Sequence, residues 1–161
     1  MIRTGLGWDK HRLKKGRRFL LAGVEIPFPK GEDGHSDGDV LAHAVIDALL
    51  GACALGDIGE LFPPSDPAYK DADSMKLLRN VYRRVRQSDW KLINLDCIII
   101  CEAPKILPYR GAIRKSLAEA LETSVENVFL KGKTAEGLGH VGKGEAVEVL
   151  AQCLLEKFIK M

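Results

Sequence analysis

Long apolar stretches are missing from this chain. The longest, VLAHAVIDALLGACAL (40–55), is interrupted by His43 and Asp47 and is too short to span a bilayer. The opening MIRTGLGWDKHR has no apolar core of the kind a signal peptide needs, so a cytoplasmic protein with no membrane partner is expected. An excess of one charge is missing too: 24 basic residues face 22 acidic ones, for a net charge of +2. The densest basic cluster, RNVYRRVR (79–86), reads as a solvated helix face and not as the broad stripe of a nucleic-acid binder, so no nucleic-acid partner is expected. Only four cysteines occur, Cys53, Cys97, Cys101 and Cys153; none forms a CxxC pair and all sit in apolar surroundings, which favours reduced core thiols over disulfides or zinc ligands. Repeats, low-complexity tracts and linkers are absent as well.

What is present is the composition of an ordinary globular domain, with 46% apolar and 29% charged residues in 161 positions. That length suits one core, so 1–161 is read as a single domain. IRTGLGWDKH alternates, with Ile2, Thr4, Leu6 and Trp8 on one face and Gly5, Gly7, Asp9 and His11 on the other, and is predicted to be a strand. RFLLAGVEI (18–26) reads as a second strand, followed by a Pro/Gly/Asp loop and a helix over about 39–55, with Ser36, Asp37 or Asp39 as its cap and Gly56 as its stop. A turn-rich segment (57–72) leads to an amphipathic helix whose buried stripe is Met75, Leu78, Val81, Tyr82 and Val85. Then come a strand over 92–101, a helix to about Glu122, a strand over 127–133 and a last helix over Glu145–Lys160, with Val149, Leu150, Cys153, Leu154 and Phe158 inward. The expected fold is α+β: a two-layer sandwich of a mixed four-stranded sheet with helices packed on one face.

Chemistry concentrates in two places. In the first, His43 and Asp47 are the only strongly polar side chains in the apolar helix and lie four apart, on one face. Two readings stay open: a metal-binding imidazole with Asp47 as the carboxylate that fixes its tautomer, or a pair that satisfies itself in the core. Asp9 and His11, two apart on one strand face beside two glycines, add ligands. With His43 they make a His, His, Asp set suited to tetrahedral zinc with an open fourth position. In the second, KGKTAEGLGHVGKGE (131–145) holds a literal GxGxxG, but no second strand with an acidic residue follows, so a dinucleotide fold is rejected. A glycine-rich turn with Lys131, Lys133, Thr134 and Lys143 remains, suited to phosphate oxygens. Glu136 there is either a solvated loop carboxylate or the ligand of a magnesium ion lying between it and the phosphates.

GLGWDKHR, GHSDGDVLAHAVIDALLGACALGDIGELFP, EAPKILP and KTAEGLGHVGKGE stand in an order and spacing that closely resemble the 2-C-methyl-D-erythritol 2,4-cyclodiphosphate synthase family, across essentially the whole chain. The resemblance implies a homotrimeric lyase of non-mevalonate isoprenoid biosynthesis, with active sites between subunits. It implies that 4-diphosphocytidyl-2-C-methyl-D-erythritol 2-phosphate closes to the 2,4-cyclodiphosphate and releases CMP. By matching position, Asp9, His11 and His43 would hold zinc and Glu136 a second ion, magnesium or manganese; His35 and Thr134 would stabilise the transition state. Lys10, beside two of these ligands, falls in the substrate-contacting stretch, and His35 and Ser36 would meet the 2-phosphate. Asp57, Ile58 and Gly59, with Phe62, Pro63, Pro64, Ser65 and Asp66, would line the methylerythritol region. The neighbouring subunit would bring Cys101, Glu102, Ala103, Pro104, Lys105, Ile106 and Leu107, and Lys133, Thr134, Ala135 and Glu136, to the cytidine and diphosphate.

Pro64 and Ala135 replace an aspartate and a threonine common in the family. His140 and Lys143 stand where an aromatic residue and an arginine face a cavity on the threefold axis. Two competing readings are a metal-dependent phosphohydrolase of a nucleotide diphosphate ester, in which water replaces the phosphate nucleophile, and a nucleotide-binding trimer without turnover.

Overall fold

The computed structural model describes residues 1–158. Five strands form one sheet in the order β4-β1-β7-β5-β6, where β1 is Ile2–Lys15, β4 Lys30–Asp33, β5 Trp90–Ile100, β6 Val128–Lys133 and β7 Ala146–Lys157. All neighbours are antiparallel except β5 and β6, so the sheet is mixed, as expected. The short strands β2 (Phe19–Leu21) and β3 (Val24–Ile26) pair only with each other. Helices α1 (Val40–Cys53), α3 (Ser74–Gln87) and α4 (Arg110–Ala120) make the second layer, and α2 (Ile58–Leu61) and α5 (Gly139–Gly142) are single turns.

The sheet thus has five strands where the sequence pattern predicts four, and its membership differs. The 18–26 segment leaves the sheet as the separate β2–β3 hairpin, while β4 emerges from the expected loop. The predicted last helix is instead strand β7, at the centre of the sheet; residues 159 and 160 of that prediction lie outside the described residues. Burial explains the change. Val147, Val149, Ala151, Cys153 and Leu155 are all buried and fall on every second residue, the strand period, whereas the helical reading mixes the two faces. β7 pairs along its whole length with β1 on one side and β5 on the other, and that double ladder overrides local helix propensity.

α1 is almost wholly apolar because it is covered nearly all round, with His43 and Asp47 half-buried among buried neighbours. Asp39 caps it, accepting from Ala42 N at 3.0 Å, and the same carboxylate takes Ala22 N at 3.0 Å and Gly23 N at 2.6 Å. The helix ends on Ala54 in the left-handed region, two residues before the expected Gly56. α3 carries the predicted stripe, with Met75, Leu78, Val81, Tyr82 and Val85 all buried. All four cysteines are free and buried, and burial pushes the Cys53 and Cys101 thiols up to about 11.

The glycine face of β1 lies directly under α1. A Cβ on Gly5 would sit 1.9 Å from the Ala48 carbonyl oxygen and one on Gly7 1.9 Å from that of Ala44. No side chain fits there, so the room left by the two glycines is filled by helix backbone. The alternate residues Ile2, Leu6 and Trp8 consequently point away from the helices and stay exposed, at 63%, 68% and 53%.

Glu32 on β4 is fully buried; one carboxyl oxygen accepts from Leu20 N at 2.9 Å and the other has no partner. Burial, with Asp39 and Asp37 nearby, pushes its carboxyl up to about 9 from an ordinary 4.5. Between those values the folded chain holds a proton that the unfolded chain has lost, so this group's contribution to stability falls as pH rises. Denaturant melts of the protein and of Glu32→Gln at pH 5 and pH 8.5 are expected to show the parent losing stability relative to the variant at the higher pH; parallel behaviour would mean that Glu32 is ionised in the fold.

Candidate metal centre and flanking clefts

Asp9 and His11 leave the glycine face of β1 together, and α1, held close by Gly5 and Gly7, brings His43 over them. His11 Nε2 lies 2.8 Å from Asp9 Oδ2, His43 Nδ1 lies 3.1 Å from the same oxygen, and the two ring nitrogens are 3.2 Å apart. Among the described residues this is the one group of histidine, cysteine and carboxylate atoms converging closely enough to hold a metal ion. Burial works against ionisation of Asp9, but hydrogen bonds and charge from His11 and His43 outweigh it and hold the carboxyl far below the usual carboxylate range. Burial also opposes a charge on His11, and the Asp9 carboxylate together with the Asp33 carbonyl more than offsets this and raises it.

The second nitrogen of each imidazole is also engaged. His11 Nδ1 is 3.1 Å from the Asp33 carbonyl oxygen on β4, and His43 Nε2 is 2.8 Å from Ser74 Oγ and 3.1 Å from Ser36 Oγ. Metal-binding histidines are held in this way, with the inner nitrogen bare and the outer N–H donated. Two imidazole nitrogens and one carboxylate oxygen converging with their outer atoms tied back suit a borderline divalent cation such as zinc, with one position open.

The expected partnership between Asp47 and His43 is not formed. Asp47 Oδ1 accepts from Ile58 N at 2.8 Å, at the first residue of α2, and so ties α1 to the short helix that follows it. Sequence spacing puts Asp47 on the right face of α1 but does not reveal that Ser74, 31 positions beyond His43, is the residue that reaches the imidazole. Ser74 is the first residue of α3, whose cap is Asp73, accepting from Met75 N and Lys76 N.

Around the triad a cavity of about 250 Å³ is lined by Asp9, His11, His35, Ser36, His43, Asp47, Ile58, Gly59, Phe62 and Pro64, all expected at the site, and by Tyr69 and Leu77, which were not. Phe62 and Tyr69 meet edge to face at 5.3 Å between ring centres and form its apolar wall. Asp57 caps α2 through Glu60 N, and Asp66 caps the turn after Pro63, Pro64 and Ser65 through Ala68 N.

A second cavity, of about 300 Å³, is lined by Cys101, Glu102, Pro104, Lys105, Ile106, Leu107, Lys133 and Thr134, together with Gly132 and Arg110. Glu102 joins its two walls by accepting from Ala135 N at 2.7 Å and Gly137 N at 3.4 Å. Ala103 lies within the same wall, between Glu102 and Pro104. Arg110 escaped the sequence reading; its guanidinium stands 5.2 Å from the centre of the Phe129 ring, at the pocket edge. Glu136 belongs here and not with the triad: exposed, its Oε1 accepts from Thr134 Oγ1 at 2.8 Å. In one chain, then, His35 and Thr134 line different clefts.

The Lys10 side chain lies on the opposite face of β1 from the triad, 3.8 Å from Glu148 Oε2. His140 is paired with Glu145 at 2.7 Å and joins Lys10, Arg12 and Lys30 around a third cavity, of about 530 Å³, while Lys143 is exposed where α5 ends.

An α+β domain with three side chains that could hold a metal ion, next to an apolar-walled cleft, fits the class of metal-dependent enzymes. The YgbB family model matches residues 2–156, and the chain belongs to that family. It is 57% identical over 154 residues to 2-C-methyl-D-erythritol 2,4-cyclodiphosphate synthase of Treponema denticola, covering 96% of each chain. Among solved structures it resembles the bifunctional IspDF of Campylobacter jejuni (42% identity, TM-score 0.95, 98% of this chain and 43% of that one). It also resembles the Plasmodium falciparum IspF complex with CDP (33% identity, TM-score 0.87, 98% and 97% covered). Among the described residues no helix is long and apolar enough to cross a membrane.

His43→Ala removes one of three converging ligands and is expected to abolish zinc uptake, whereas Asp47→Asn, which alters the contact with Ile58 and leaves all three ligands in place, is expected to keep near-stoichiometric zinc. Elemental analysis of the two purified variants checks both, and zinc loss in Asp47→Asn would restore that carboxylate to the imidazole.

Proposed function

We propose that this chain converts 4-diphosphocytidyl-2-C-methyl-D-erythritol 2-phosphate to 2-C-methyl-D-erythritol 2,4-cyclodiphosphate and CMP, the lyase step of non-mevalonate isoprenoid synthesis. The observation that carries the reading is the convergence of Asp9, His11 and His43 beside the His35/Ser36 cleft, in a chain of this family. The names of its relatives supply the reaction, and the CDP held by the Plasmodium falciparum relative fits a cytidine diphosphate ester as substrate.

Asp9, His11 and His43 would hold zinc. Glu136, exposed on the glycine-rich turn, would hold magnesium or manganese together with phosphate oxygens, since a lone carboxylate leaves most of such an ion's octahedral shell to the substrate. Bound there, the two cations supply positive charge that offsets the repulsion between phosphate groups and the charge growing on CMP. The chain's own residues do the positioning. Phe62 and Tyr69 give the methylerythritol an apolar wall that excludes water, and His35 and Ser36 at the mouth of α1 receive the 2-phosphate. Lys133 and Thr134 take the diphosphate, and the 101–107 wall takes the nucleoside. An ionised phosphate is its own nucleophile, so the site needs to orient two groups and to abstract no proton.

His35 and Thr134 act on one reaction although one chain sets them in separate clefts, which fits active sites assembled between neighbours in a homotrimer. The exposed Ile2, Leu6, Trp8 and Phe129 on the helix-free face of the sheet supply an apolar surface for that assembly. A cytoplasmic location suits such an enzyme.

Zinc-loaded protein with magnesium and the cytidylated substrate is expected to give CMP and cyclic diphosphate in equal amounts, resolved by phosphorus NMR. CMP accompanied only by a linear phosphate would make the chain a hydrolase.

A further inference from the structure

His43 is held from behind by two groups in series, Ser74 and then Asp37. Its Nε2 lies 2.8 Å from Ser74 Oγ. Ser74 is the first residue of α3, fully buried, and its hydroxyl donates to Asp37 Oδ1 in a short hydrogen bond of 2.5 Å. The Asp37 carboxylate also accepts from Ser74 N at 3.0 Å and Asp39 N at 3.1 Å, so it is fixed where the entries to α1 and α3 meet. The loops carrying the pair are stitched together at Asp37 N to the Ala72 carbonyl, 3.1 Å, and at Asp71 N to the His35 carbonyl, 2.9 Å.

Proton accounting gives this chain a direction. A cation among Asp9, His11 and His43 requires a bare Nδ1 on His43, because that is the nitrogen facing the other two ligands. The ring's one proton is then on Nε2, which must donate. Ser74 Oγ has given its own hydrogen to Asp37 and therefore presents a lone pair. Ser36 Oγ, the other neighbour, is farther away, at 3.1 Å, and accepts from Gly38 N at 3.3 Å.

We propose that Asp37 and Ser74 are positioning residues for the metal: the carboxylate polarises the serine hydroxyl, the hydroxyl polarises the His43 N–H, and the imidazole is fixed in one tautomer and made a stronger donor to the cation. This is the place the sequence pattern offered to Asp47, filled instead from a different helix. The relay also couples metal affinity to the 71–74 segment, whose Asp71 holds the His35 backbone, so that the ligand and the phosphate-binding loop are oriented by the same pair of loops.

The proposal rests on the metal reading above, and the experiment separates the two. Zinc affinity is measured by chelator competition on the metal-stripped protein and on Ser74→Ala and Asp37→Asn, with thermal unfolding of each metal-free form alongside. The relay predicts affinities weaker by about ten- to a hundredfold in both variants, with metal-free melting close to that of the parent. Parent-like affinity in Ser74→Ala overturns the relay while leaving the metal site standing, and a parent protein that takes up no zinc overturns both. Nitrogen-15 NMR of the unaltered zinc-loaded protein gives a readout that does not depend on the variants folding. The His43 proton is expected on Nε2, shifted downfield and slow to exchange; a proton on Nδ1, or a fast-exchanging one, overturns the relay.

Discussion

Everything at this site depends on how closely α1 can approach β1. The metal ligands come from two elements, and their donor atoms meet within about 3 Å only because Gly5 and Gly7 carry no Cβ where the Ala48 and Ala44 carbonyls press on the strand. A side chain at either glycine would have to lift the helix, and overpacking of that kind costs about 1–3 kcal/mol in an ordinary core. Here the displacement would also carry His43 away from Asp9 and His11, so packing and chemistry share one constraint.

The same contact decides the outer face of the sheet. With the small residues of β1 turned toward the helices, the large ones, Ile2, Leu6 and Trp8, are turned outward, where a single chain leaves them in water. Such a surface on a five-stranded sheet with no second helical layer fits the assembly proposed above. The two clefts fit the proposed assembly, in which the triad, His35 and the Phe62–Tyr69 wall would form one half of a site and the 101–107 wall with Lys133, Thr134 and Glu136 the other.

Much of this was legible in the sequence wherever a pattern is local. The alternation of β1, the stripe of α3 and the capped, nearly all-apolar α1 were read from spacing alone, and so were the three converging ligands, because strand and helix periods fix which residues share a face. β7 is not legible in the same way, because AVEVLAQCLLEK satisfies a helical stripe as well as an alternating one, and its two-sided pairing, which settles the matter, is a property of β1 and β5. β4 was missed because KGED has no alternation to show; it is held as an edge strand by β1 and by the buried Glu32. Asp47 was given a role that its own element permits, while Ser74, which fills it, belongs to another helix and carries no mark beyond sitting next to a cap. Contacts across the chain that involve small polar side chains leave the faintest trace in sequence.

The central claim is that this chain builds a cation site from two imidazoles and one carboxylate and leaves one position open to substrate. X-ray absorption at the zinc edge of the loaded protein tests it most directly. The account predicts only nitrogen and oxygen neighbours at about 2.0–2.2 Å, four in all, with the multiple-scattering signature of two imidazoles; a sulfur neighbour at about 2.3 Å, or an ion surrounded by water alone, would contradict it.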